Sequence, residues 1–122
     1  KLANNIKIPP TNISYFTNIS DRKLQTLFNQ SQIYLTLSEV EGFGLSSRMA
    51  ILYECIVIAP NKLIHKEVTW NLGIYLNNLE PIYIAKTIIK ASNKSKNNNF
   101  AKNIEENIYN DKQRNFKELN YL

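Results

Sequence analysis

Short apolar runs alternate with amphipathic segments along this chain. The run Cys55–Ala59 is apolar throughout, a pattern typical of a strand that is buried on both faces of a parallel sheet. Three further runs are rich in β-branched and aromatic residues and also predict strands. These runs are Ile13–Thr17, Ile33–Leu37 and Gly73–Leu76.

Apolar residues at helical spacing predict the remaining elements. A helix begins behind Ser20-Asp21, which is typical of an N-cap, and ends near Asn29-Gln30. Another begins at Pro81, a residue favoured in the first helical turn, and reaches about Ala91. The other predicted helical segments are Ser46–Glu54, a short turn at 62–68, Phe100–Asn110 and Asp111–Leu122.

Strands that alternate with helices over short links predict an α/β fold with a parallel sheet flanked by helices. With 122 residues, the chain is long enough for one domain. Pro9-Pro10 favours an extended linker over residues 1–12. The predicted domain therefore covers residues 13–122 and ends in helices.

Composition narrows the class of protein. The chain has no run of about 18 apolar residues and no apolar segment near Lys1 that is typical of a signal peptide. Cys55 is the single cysteine, which excludes an intrachain disulfide framework and suits a reducing compartment. We therefore expect no transmembrane segment and a cytoplasmic location, with the cytoplasmic face of the membrane as a second option.

The net charge of +5 raises the hypothesis of a nucleic-acid partner. The basic residues are spread along the chain, however. They are denser only over residues 90–102, where asparagines lie between them. A solvated surface is therefore favoured, and we expect no nucleic-acid partner. His65 is the single histidine, so a metal site has little support.

The glycine loop, Glu41–Leu45, lies between the predicted strand Ile33–Leu37 and the next predicted helix. Ligands of parallel sheets bind beyond the carboxyl ends of the strands, and a helix start attracts anions. The Glu41 carboxylate could accept hydrogen bonds from sugar hydroxyls or transfer a proton, or it could simply be solvated. Ser46 could cap the helix or contact a phosphate.

Several motifs in a fixed order resemble the C-terminal, donor-binding domain of GT-B fold retaining glycosyltransferases (glycosyl transferases group 1). The resemblance covers residues 16–76 and is much more specific than the glycine loop alone. The matching stretches are Ser20-Asp21 with Leu24, Ser38–Leu45, Ala50 with Cys55, Val57–Ala59 with Asn61, Glu67-Val68 and Gly73–Leu76.

The resemblance implies a Rossmann-like parallel sheet, here the second half of the GT-B donor domain. It implies that Glu41 is the catalytic residue that hydrogen-bonds the transferred sugar. The donor-binding set would be Gly42, Phe43, Gly44, Leu45 and Ser46, with backbone amides holding sugar hydroxyls and the diphosphate. The nucleotide sugar would then be a substrate, with no cofactor or metal.

The chain departs from the family pattern at the position that binds ribose. The family carries a second glutamate there, eight positions after the first, and this chain carries Met49. A thioether is a poor acceptor for two hydroxyls. Glu54 does not replace the lost carboxylate, because on a continuous helix it would point about 140° away from residue 49. Leu37 and Ser46 stand where the family usually has proline.

The family's diphosphate-binding Arg and Lys, and its acceptor-binding domain, have no counterpart before Ile13. We therefore expect a missing N-terminal domain or a partner subunit, and activity only as part of a complete enzyme. The alternative is a catalytically inactive glycosyltransferase-like binding or partner module, which Met49 favours.

Overall fold

The computed structural model describes residues 12–40, 42–94 and 98–120. Residues 1–11, most of the predicted linker, lie outside this part of the chain, as does Glu41. In chain order the elements are α1 Asp21–Gln30, β1 Ile33–Leu35, α2 Leu45–Leu52, β2 Ile56–Pro60, α3 Leu63–Val68, β3 Ile74–Leu76, α4 Pro81–Ser92 and α5 Asn98–Asn120.

The strands form a parallel sheet in the order β1-β2-β3. Tyr34 pairs with Val57, and Ile58 pairs with Ile74. Each crossover passes through a helix, as parallel pairing requires. The predicted α/β fold with a parallel sheet flanked by helices is therefore confirmed.

The central strand β2 separates two apolar clusters. Val57 and Ala59 face a cluster that contains Phe28 of α1, Ile51 of α2 and Ile104 of α5. On the opposite face, Ile58 packs with Ile84 and Ala91 of α4 and with Leu76. Burial on both faces explains the unbroken apolarity of this strand and confirms the interpretation of its sequence.

Local signals set several helix ends. The Ser20 hydroxyl accepts a hydrogen bond from the Lys23 amide at 3.2 Å, which confirms the predicted N-cap of α1. Pro81 occupies the first turn of α4, where its missing N–H costs no hydrogen bond. The helix α2 ends before the predicted Glu54, because that residue takes a left-handed backbone with φ of 61°.

Two expectations about elements are wrong. Ile13–Thr17 is not a strand, because an isolated extended segment has no partner for its amides and carbonyls, and the described sheet pairs only β1, β2 and β3. Residues 100–110 and 111–120 form one continuous helix, α5, rather than two segments. Asp111 does not interrupt it, since its carboxylate is engaged by side chains from other elements.

Within the described ranges, no helix is long and apolar enough to cross a bilayer. This finding agrees with the sequence, which has no extended apolar run.

Candidate functional site

The connection between β1 and α2 leaves the carboxyl end of β1 and ends in the glycine loop. Gly44 is the N-cap residue of α2 and has a left-handed backbone, with φ of 62° and ψ of 29°. No side chain caps this helix, and the first hydrogen bond across its start runs from the Arg48 amide to the Gly44 carbonyl at 3.0 Å. The backbone N–H groups of Leu45, Ser46 and Ser47 therefore have neither a side-chain cap nor a hydrogen bond within the helix.

Gly44 is buried against Val68 at the end of α3. A β-carbon at residue 44 would lie 2.9 Å from Val68 Cγ1 and 3.0 Å from Cγ2, closer than carbon atoms approach without strain. The left-handed backbone and the close contact both require glycine. Packing of α3 against this residue therefore fixes where α2 begins.

The side chain of His65 in α3 contacts the β1–α2 connection at Ser38. Its ring is fully buried, and Nε2 lies 2.8 Å from the Ser38 carbonyl oxygen. A carbonyl can only accept, so Nε2 carries the proton. Nδ1 is buried without a hydrogen-bond partner among the described residues. Within the same part of the chain, no group of three His, Cys, Asp or Glu residues could hold a metal.

A chain of hydrogen bonds fixes α3 behind His65. The Gly73 amide donates to the Tyr75 hydroxyl at 3.0 Å, and the Thr69 hydroxyl donates to the His65 carbonyl at 2.6 Å. The Tyr75 hydroxyl therefore donates to Thr69 Oγ1, which lies 2.6 Å away. This buried network positions the helix that contacts both Gly44 and Ser38.

Apolar side chains project into solvent around the glycine loop. Val40 is 90% exposed and Phe43 is 82% exposed. Leu45 at the start of α2 and Leu63 at the start of α3 are also exposed. These exposed side chains follow the carboxyl ends of β1 and β2, the end of a parallel sheet at which ligands bind.

The predicted site residues differ in their surroundings. A β-carbon added at Gly42 would have no neighbour within 4 Å, whereas Gly44 is enclosed. Ser46 is exposed and Ser47 is buried, and neither serine caps α2, because Gly44 is the N-cap residue. Glu41, the predicted contact of the transferred sugar, is outside the described residues.

Met49 packs inward. Its half-buried side chain lies against the apolar cluster of Phe28, Ile51 and Ile104. Met49 is therefore a core contact in this chain. Glu54 is exposed beyond the end of α2.

Arg48 lies in a charged network that joins α2, α5 and the segment after α3. Its guanidinium carbon is 3.7 Å from the centroid of the Trp70 ring, and Nη1 is 3.8 Å from Asp111 Oδ2. Trp70 Nε1 donates to the same carboxylate oxygen at 2.9 Å, and Arg114 lies 3.6 Å from Oδ1. Burial lowers the pKa of the Arg48 guanidinium from its usual value, and the Asp111 carboxylate opposes that shift.

This network borders the Arg48 cavity, a space of about 530 Å³ that Val68 and Asn107 also line. A cation in the first turn of α2 opposes the helix dipole, which by sequence alone makes Arg48 a candidate anion ligand, although a solvent-facing arginine is the favoured interpretation. In the structure, Arg48 is half-buried and its partner is Asp111. Residues 48, 70 and 111 are far apart in sequence, so no local pattern could bring them together.

Replacing Asp111 with alanine is expected to lower the free energy of unfolding by about 1–2 kcal/mol, because the acceptor of Trp70 Nε1 and the partner of two arginines are lost together. Asp111→Asn retains an acceptor and removes only the charge, so its expected loss is smaller. Urea unfolding followed by the fluorescence of Trp70, the single tryptophan, measures both. An alanine variant as stable as the parent would show that the network does not hold α5 in place.

A second polar space, the strand-end pocket, lies beyond the carboxyl ends of β2 and β3 and has a volume of about 150 Å³. Its polar lining comes from Glu39, Asn61, Lys62 and Asn77. None of these four residues was singled out as a site residue from the sequence. The signal was present, however, since each residue lies shortly after one of three consecutive strands.

Comparisons with protein-family models, with curated protein sequences and with solved structures found no match. The functional hypothesis therefore depends on the motifs of the sequence and on the geometry of the carboxyl edge of the sheet.

Proposed function

We propose that this chain is the nucleotide-sugar-binding part of a GT-B fold retaining glycosyltransferase, with a Rossmann-like sheet, that acts within a complete enzyme. The observation that carries the proposal is the path from β1 through Gly44 to α2. A left-handed glycine, enclosed by Val68, starts a helix whose first amides have no side-chain cap. This arrangement lies where parallel sheets bind ligands.

The chemistry of such a site follows from the amides. The N–H groups at the start of α2, with the positive end of the helix dipole, would face the donor diphosphate and stabilise the charge that develops on the leaving group. Gly42, Phe43, Gly44, Leu45 and Ser46 would contact the donor. Glu41 would hydrogen-bond the transferred sugar, as the family resemblance implies.

Met49 supports a second candidate function, a catalytically inactive glycosyltransferase-like binding or partner module. Its side chain packs against the core cluster and offers no carboxylate to ribose hydroxyls. Both candidates bind a nucleoside diphosphate through the start of α2. They differ in whether sugar transfer occurs when an acceptor-binding domain or partner subunit is present.

Isothermal titration with UDP, GDP, ADP and nucleotide sugars tests the shared step. We expect binding of at least one nucleoside diphosphate, and weaker binding of the matching monophosphate, because the second phosphate would contact the amides. No binding of any nucleotide, together with tight, salt-dependent RNA binding, would favour the basic nucleic-acid module instead.

The variant Ser46→Glu locates the binding site. Ser46 is exposed in the first turn of α2, where a carboxylate favours the helix dipole and should preserve the fold. The same charge would repel a diphosphate, and we expect the Kd to rise about tenfold or more. Gln25→Glu makes the same change in net charge at an exposed residue of α1 and should leave the Kd unchanged. Equal effects of the two variants would contradict a site at α2.

A further inference from the structure

The strand-end pocket is assembled from three segments that follow successive strands. Glu39 lies after β1, Asn61 and Lys62 follow β2, and Asn77 follows β3. The carboxyl ends of neighbouring parallel strands meet at one edge of the sheet, so residues that are distant in sequence converge there.

Two polar pairs hold the lining in place. Asn61 Nδ2 donates to Asn77 Oδ1 at 2.6 Å, and the backbone N–H of Asn61 donates to the Leu76 carbonyl at 2.9 Å. Lys62 Nζ lies 3.4 Å from Glu39 Oε2. Each asparagine amide carries two N–H donors and one acceptor, and the carboxylate carries two oxygens. The pairs thus leave donors and acceptors for a ligand with many hydroxyls.

Three apolar residues, Pro60, Leu76 and Leu79, also line the strand-end pocket. Pro60 and Leu76 are buried and Leu79 is partly buried, so the exposed lining is mainly polar. Polar groups from three segments match the hydroxyls of a sugar ring. One carboxylate paired with one ammonium makes the lining nearly neutral, which suits an uncharged sugar better than a phosphate.

The volume limits the ligand further. Pockets for drug-sized ligands typically have about 300–1,000 Å³. At about 150 Å³, the strand-end pocket suits a part of a ligand, such as a single sugar ring. Glu39 belongs to the same β1–α2 connection as Gly42 and Gly44, so the strand-end pocket takes one of its lining residues from the segment that leads to α2.

We propose that the strand-end pocket binds the hydroxyl groups of the donor's sugar ring, with Asn61, Asn77 and Glu39 as the recognising side chains. This inference rests on the proposed function and adds to it a sugar subsite separate from the amides that hold the diphosphate. The side-chain amides of Asn61 and Asn77 bind sugar hydroxyls, and Lys62 orients the Glu39 carboxylate.

The variants Asn77→Ala and Asn61→Ala test the proposal. Isothermal titration compares UDP-glucose, UDP-N-acetylglucosamine and GDP-mannose with UDP and GDP. For the nucleotide sugar that binds, we expect the Kd to rise roughly five- to tenfold, the scale of one or two hydrogen bonds. The Kd of the matching nucleoside diphosphate should stay unchanged. Asn29→Ala, a change of the same type on exposed α1, should alter neither constant.

The outcomes separate this inference from the proposed function. An unchanged Kd for the nucleotide sugar in folded variants would overturn the sugar subsite while nucleoside diphosphate binding stands. Equal weakening of both ligands would also overturn it, because Asn61 and Asn77 would then support the loop rather than read the sugar. If the parent chain binds neither ligand, the proposed function itself fails. Circular dichroism verifies that each variant is folded.

Discussion

Replacing Gly44 with alanine is expected to lower the free energy of unfolding by about 2–5 kcal/mol. A left-handed backbone costs a residue with a β-carbon about 1–2 kcal/mol, and overpacking adds about 1–3 kcal/mol. Both terms apply here, since φ is 62° and the new carbon would lie 2.9 Å from Val68 Cγ1. Urea unfolding followed by circular dichroism measures the loss.

Gly42→Ala is the matched control for Gly44→Ala. Both glycines belong to the glycine loop, but a β-carbon at residue 42 meets nothing within 4 Å. Its expected effect is therefore within about 0.5 kcal/mol. Equal losses for the two variants would contradict the assignment of Gly44 as the enclosed start of α2.

A double-mutant cycle isolates the steric part of the Gly44 effect. Val68→Ala removes the methyl groups that a β-carbon at residue 44 would meet. In that background, Gly44→Ala should cost only the backbone strain of about 1–2 kcal/mol. A full, additive loss would mean that the contact with Val68 does not determine the requirement for glycine.

Replacing Met49 with glutamate is expected to tighten nucleoside diphosphate binding by about 1–3 kcal/mol, or about 5- to 150-fold in Kd. This is the scale of hydrogen bonds to a charged group, here between the introduced carboxylate and the ribose hydroxyls that the proposed function places at residue 49. The same change is expected to lower the free energy of unfolding by about 1–3 kcal/mol, because Met49 packs against the apolar cluster.

Two controls separate these effects. Met49→Leu keeps the core contact and should change neither binding nor stability by more than about 1 kcal/mol. Met49→Gln has the shape of glutamate without its charge and should tighten binding less. Unchanged affinity in a folded Met49→Glu variant would show that the ribose is not held at this position. Titration calorimetry measures affinity, and urea unfolding measures stability.

If Met49→Glu tightens binding, the chain has kept the geometry of the ribose site and lost only its acceptor. That result would favour descent from an active enzyme and a present role as a binding or partner module. The packed position of Met49 gives a physical reason for methionine at this position, because the thioether contributes apolar burial to the core.

Local signals in the sequence predicted several elements well. Ser20 caps α1, Pro81 starts α4, and the apolar run at residues 55–59 becomes the central strand, shifted by one residue. Each of these outcomes depends on neighbours within a few positions or on the burial that a continuous apolar run demands.

Other features depended on contacts between distant residues. The segment Ile13–Thr17 has a strand-like composition but pairs with no described strand. Asp111, within the continuous helix α5, accepts a hydrogen bond from Trp70, 41 positions away. The inward packing of Met49 and the joining of Asn61 to Asn77 likewise arise only when the sheet and helices assemble.

By itself, the sequence determined the α/β class, the approximate positions of β1, β2 and β3 and the glycine loop after β1, because hydrophobic period and turn residues act locally. Only the tertiary structure decided that Gly44 must be glycine, that Met49 faces the core and that a polar pocket forms beyond β2 and β3. These three features depend on which surfaces come into contact when α3 and α5 pack on the sheet, and no local sequence pattern encodes those contacts.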